Sequence, residues 1–239
     1  MTAQASPLLP QIRTLLLENN FFLGEQSALQ SLHQAIKQGD SSAELAQIIC
    51  SDDALCDYLK QIYSVIKLPA ITHQCQSQTM TQMIEALGEQ LTYRYALAFY
   101  LQRNLTFLGE PYARLSKGYW ALTQSITQEA LESANRSLDP QLCANRLHSL
   151  CQFVFLGPLL TLAAASLLQS QSQLTISMGM LKQVIEQQQF ELSLLALKQL
   201  KVDGDLQFEL AIAYERMPTQ VKITPGLLLR PILKRRGLL

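Results

Sequence analysis

Three histidines, five cysteines and one pair of adjacent aspartates hold most of the chemistry this sequence could offer. A zinc site would need Cys and His clustered at short spacing. Cys50, Cys56, Cys75, Cys143 and Cys151 contain no CxxC and no such cluster with histidine. In a cytosolic chain these cysteines read as small buried hydrophobes. His33 and His73 sit in polar segments and read as surface residues. His148 stands one or two helical turns before a long apolar run. A partly buried ring bonded to backbone accounts for it, with a metal or phosphate contact as the alternative. Asp52 and Asp53 could be paired catalytic carboxylates. They read better as acids in the first turn of a helix capped by Ser51, where they complement the helix dipole. There is no GxSxG nucleophile elbow, no GxGxxG and no GxxxxGK.

The elements that would carry these residues read as helices throughout. Hydrophobic residues make up 48% of the 239, only 10 are Gly, and 28 are Gln, a good helix former. Ser41 and Glu44 have capping-box spacing ahead of Leu45, Ile48 and Ile49. Leu55, Tyr58, Leu59, Ile62 and Val65 form the apolar face of the next helix, which Pro69 ends. A polar segment, LPAITHQCQSQ, connects to a short helix closed by Gly88. The sequence LGEP at Gly109–Pro111 marks an internal boundary. Asp139 and Pro140 read as the cap and first position of a later helix. SMGMLKQVIEQQQ, FELSLLALKQLKV and DLQFELAIAYERM read as three further helices.

FVFLGPLLTLAAASLL, residues 153–168, holds sixteen residues without a charge. It is too long for a strand and short of the roughly 20 residues that cross a bilayer. It reads as a buried central helix with Leu159 and Leu160 fully enclosed. No stretch is long enough to be a transmembrane segment, and the first residues show no secretory signal. These features lead us to expect a cytoplasmic protein.

Charge is unevenly placed. From Met217 onward there are five basic residues, Lys222, Arg230, Lys234, Arg235 and Arg236, and no acid. The body before it holds the other 14 basic residues and all 19 acidic ones, a net of −5. A body of that sign is a poor nucleic-acid binder.

Several stretches together resemble the HDOD family, bacterial domains related to the metal-dependent HD phosphohydrolases. ELAQIICSDDALCDYLKQIYS is similar to the family's first helix, Ser-Asp-Pro-like turn and second helix, with Asp53 in place of the proline. MIEALGEQLTYRYALAFYL resembles the next segment, and Trp120 the Trp that opens the following helix. The family's Phe-Leu-Ala-Gly-Leu-Leu-His-Asp-Ile-Gly aligns with Phe155, Leu156, Gly157, Pro158, Leu159, Leu160, Thr161, Leu162, Ala163 and Ala164. ELSLLALKQLKVDGDLQFELAIAYE resembles the closing helix pair without its histidines. The likeness runs from about Leu8 to Glu215.

In active HD enzymes the His-Asp pair holds a divalent ion that acidifies water and clamps phosphate oxygens. Here the matched positions are Thr161 and Leu162, and WALTQSITQEAL offers no histidine upstream. The resemblance therefore implies an all-α, multi-helical HDOD-like fold without catalytic residues, metal or cofactor. Its expected organisation is an N-terminal helical half at 1–109, a degenerate HD-like half at 110–216 and a basic apolar tail at 217–239. The expected function is a regulatory or signal-transduction module that binds a protein partner or a small ligand, with a second copy of the chain another candidate partner. The alternative is a metal-dependent phosphohydrolase acting on a nucleotide or cyclic dinucleotide. In the tail, Leu227, Leu228, Leu229, Ile232 and Leu233 alternate with basic groups. Its leucines could dock on the body with the arginines solvated. The functional alternative to that favoured reading is that Leu228, Leu229, Arg230, Ile232, Lys234, Arg235 and Arg236 engage a partner or, less well, an anionic membrane face. Pro218, Pro225 and Pro231 argue against regular helix there, and the tail is expected to be dispensable for folding.

Overall fold

The structure is a computed structural model that describes residues 8–18, 27–66, 79–106, 108–137, 144–172 and 176–239. His73, Cys75, Cys143, Asp139, Pro140 and the whole connecting segment 68–78, Pro69 included, lie outside the described residues. Twelve helices are present among the described residues, and no strand. They are α1 (Leu8–Glu18), α2 (Ser27–Gln38), α3 (Ser42–Cys50), α4 (Asp53–Ile66), α5 (Met80–Leu87), α6 (Glu89–Leu105), α7 (Tyr112–Ser137), α8 (Ala144–Gln152), α9 (Leu156–Ser172), α10 (Met178–Gln199), α11 (Gly204–Ala213) and α12 (Pro225–Arg235).

Local chemistry explains where these helices begin. Ser41 Oγ accepts from the Glu44 N–H while Glu44 Oε2 accepts from the Ser41 N–H at 2.8 Å, so α3 has the expected capping box. Thr79 and Gln82 make a second box at α5, a T-x-x-Q spacing legible in the sequence but not read there. The α3–α4 turn differs from expectation by one residue. Ser51 ends α3, its hydroxyl donating to the Ile48 carbonyl at 2.6 Å. Asp52 is the cap of α4: its Oδ1 accepts from the Ala54 and Leu55 N–H groups at 3.1 and 3.2 Å. A carboxylate there meets both the orphan amides and the positive end of the dipole. Gly88, at φ +83°, separates α5 from α6. Few other residues take that backbone geometry cheaply.

One buried cluster draws side chains from α1 through α12. At its centre α9 packs along α10, and Leu159 and Leu160 are buried as expected. The helix begins at Leu156, after a turn at 153–155. Pro158 therefore falls in its first turn, where a missing N–H costs no helical bond. Gly157 sets the closeness of the two helices: a Cβ there would lie 2.0 Å from the Gln189 carbonyl oxygen. The two segments 177–189 and 190–202, read separately from sequence, are joined in the single helix α10. Val65, placed on the apolar face of α4, is exposed, and Ile66 is buried in its stead.

The tail's leucines dock on the body, but the tail is helical where its prolines argued against helix. Residues 225–235 form α12, with Pro225 in the first turn and Pro231 inside the helix. Leu229, Ile232 and Leu233 are buried against α11, α7 and α8. The tail is thus part of the core and not an appendage to it. Pro231 is exposed and removes one helical N–H donor, a local cost that the burial of Leu229, Ile232 and Leu233 offsets.

Candidate functional site

Thr161 and Leu162 sit at the middle of α9 with no solvent exposure. The Thr161 hydroxyl donates to the Gly157 carbonyl at 2.8 Å, so its proton is already used within its own helix. Leu162 has no donor atom. The neighbouring contact is also spoken for. Ser193 on α10 accepts from the Gly157 N–H at 2.7 Å and donates to the Gln189 carbonyl at 2.7 Å. A divalent metal at these positions would need carboxylate or imidazole ligands, and the residues present do not fit one. Among the described residues no group of three or more His, Cys, Asp and Glu side chains could hold a metal ion.

His148 of α8 is buried. Its Nδ1 lies 3.1 Å from the Tyr95 hydroxyl of α6, which lies 3.0 Å from the Asn145 carbonyl. A carbonyl can only accept, so the tyrosine proton points at Asn145 and His148 Nδ1 carries the proton towards Tyr95. Burial pushes the ring's pKa down to about 4, so it is neutral at pH 7. The expected backbone bond is instead a bond to a tyrosine. The Cys151 thiol, one turn along, is pushed up to about 12 by burial and is inert as a nucleophile. His33 is partly buried, its ring against Tyr93 at 5.3 Å. Cys50 is exposed, contrary to expectation, while Cys56 and Cys151 are buried as expected.

The tail residues proposed for a partner are engaged with the body. Arg230 donates from Nε and Nη2 to the Ile212 carbonyl at the end of α11, at 3.0 and 2.6 Å. Lys234 pairs with Glu215 at 2.7 Å. Arg235 and Arg236 share Glu129 of α7 at 2.6 and 2.9 Å, and Arg236 also donates to Ser125. These arginines are not merely solvated. Leu228 is half-buried beside them.

A cleft of about 480 Å³ that sequence reading missed opens between α6, α8 and the start of α11. Gln90, Leu91, Arg94, Arg146, Asp203, Gly204 and Asp205 line it. Arg94 is buried and grips Asp203 with two nitrogens, Nε at 2.7 Å. Asp203 in turn caps α11, accepting from the Leu206 N–H at 3.2 Å. Burial pushes the Asp203 carboxyl up, but Arg94 and the cap bond outweigh it and hold the group below its usual range. Arg146 pairs with Asp205 at 2.9 Å. Two cations face two anions, so a polyanion finds both arginines already occupied. The signal was Asp203 and Gly204 opening a helix, but its partner Arg94 is 109 residues away.

No family model matches the chain, and no curated protein matches it in sequence. Among solved structures it superimposes on a protein of Shewanella amazonensis named as a proposed metal-dependent phosphohydrolase. The TM-score is 0.66 at 13% identity, over 96% of this chain and 85% of the other. At that identity the likeness concerns the arrangement of helices alone. The stretch Ala144–Gln171 is long and apolar enough to cross a membrane, but 83% of its apolar window is buried inside this fold.

Proposed function

We propose that this chain is a non-catalytic regulatory module of the HDOD type, acting in the bacterial cytoplasm by binding a protein or a small ligand. One observation carries the proposal. The two positions that match the His-Asp pair hold a threonine whose hydroxyl is bonded to Gly157 and a leucine with no ligand atom. With neither ligand, no bound ion is available there to acidify water or clamp a phosphate. His148 does not replace them, because it has only Tyr95 as a polar partner among the contacts described for its ring. The second reading, a metal-dependent phosphohydrolase, draws on the name of the structural neighbour.

Elemental analysis of protein purified without chelator or affinity tag separates the two. We expect no stoichiometric Mn, Fe, Co, Ni or Zn, and no hydrolysis of nucleoside phosphates or cyclic dinucleotides with those ions added. A metal content of one per chain, or turnover abolished by a chelator, would overturn the proposal.

A further inference from the structure

Cys50 is the last residue of α3, and Cys56 stands in the first turn of α4. Their sulfurs are 3.1 Å apart, and both thiols are free. Cys50 is exposed and Cys56 is buried. That asymmetry is what a two-step exchange needs: one sulfur that a small molecule can reach, and a second held behind it. Burial and then the contact with Cys56 push the Cys50 thiol up to about 11, so Cys50 rests as a thiol. The Lys60 ammonium, bonded to Asp57 at 3.2 Å, sets a positive charge near the pair. A bonded S–S separation is about 2.05 Å, so closure asks the sulfurs to approach by only about 1 Å.

We infer that Cys50 and Cys56 form a reversible disulfide, with a small-molecule disulfide such as oxidised glutathione as the oxidant. This inference stands independently of the function proposed above. Cys50 thiolate attacks one sulfur of the small disulfide. A protein–small-molecule disulfide forms, and one small thiolate leaves and takes up the Cys50 proton. Cys56 thiolate then attacks Cys50 Sγ, forming the internal disulfide and expelling the second small thiolate, which takes up the Cys56 proton. The protein loses two electrons and two protons, and the small disulfide becomes two thiols. The resulting bond spans the α3–α4 turn. Asp52 in that turn accepts from the Tyr100 hydroxyl of α6 at 2.8 Å, so the bond clamps a junction of three helices.

The test uses the full chain, equilibrated with excess oxidised glutathione, alkylated, digested with trypsin and weighed. Lys37 and Lys60 bound one peptide that contains both cysteines. We expect that peptide to lose two hydrogens in nearly all molecules and to regain them with excess reduced glutathione. Because the Cys50 thiolate fraction is small, the reaction is run to equilibrium. In Cys56→Ser the peptide should retain glutathione on Cys50, and in Cys50→Ala it should carry neither change. Circular dichroism confirms that each variant is folded. The inference is overturned if the wild-type peptide stays reduced, if it keeps glutathione, or if Cys50 links instead to Cys75, Cys143 or Cys151.

Discussion

His148 ties stability to pH. Its ring titrates near 6.5 in an unfolded chain and near 4 in the fold, because burial disfavours the charged form. As pH falls below 6.5 the unfolded chain takes up a proton that the folded chain refuses. The contribution of the neutral ring is therefore complete above pH 6.5, declines between 6.5 and 4, and is gone below. A shift of that size corresponds to about 3 kcal/mol. Urea denaturation at pH 7 and pH 4.5, which spans most of that window, should show wild type losing about 2 kcal/mol more than His148→Gln. Equal losses in the two proteins would mean that the ring is not held neutral by the fold. Tyr95 orients the ring, so Tyr95→Phe should leave the pH dependence and lower stability at both pH values.

At the scale of elements, α12 decides whether the body can stand alone. Leu229, Ile232 and Leu233 are buried, at about 2 kcal/mol each. The whole stability of a typical domain is about 5–15 kcal/mol. Deleting residues 217–239 should therefore leave a chain that melts non-cooperatively or aggregates. Ile232→Ala, which keeps the helix, should cost about 3 kcal/mol in urea denaturation. A truncated chain with native circular dichroism and an unshifted melting midpoint would return the tail to the role of an appendage. Sequence reading went astray here for a physical reason. The rule that proline breaks helices states a local cost of about 3 kcal/mol, and the burial of Leu229, Ile232 and Leu233 along α12 offsets it. The same reading succeeded with α9, where sixteen uncharged residues leave no solvated face to choose. Its partner across the tight contact was hidden. Gly157 looks like a helix weakness until Gln189 and Ser193 are placed against it.

For the whole molecule, the all-helical class was legible because capping signals, periodicity and composition agree. The positions Thr161 and Leu162 could be located by resemblance, yet their surroundings could not. The cleft and the Cys50–Cys56 pair escaped for different reasons. The cleft joins residues over a hundred positions apart. The cysteines are six apart, a spacing that no single helix would bring together, and the turn at Ser51–Asp52 does so by folding α4 back beside α3.

The grip of Arg94 on Asp203 has a consequence for the order of assembly. Asp203 caps α11 through a bond that spans three residues, so that helix can start locally. The bond to Arg94 closes a loop of 109 residues. The entropy of closing so long a loop must be met before the contact contributes anything, which places it after the rate-limiting step. Arg94→Met should then speed unfolding while leaving the refolding rate near that of wild type, seen as a shift of one arm of the chevron alone. The lining of the cleft would be the last part of the molecule to form and the first to open, so its shape would be lost on a shorter timescale than the fold that surrounds it.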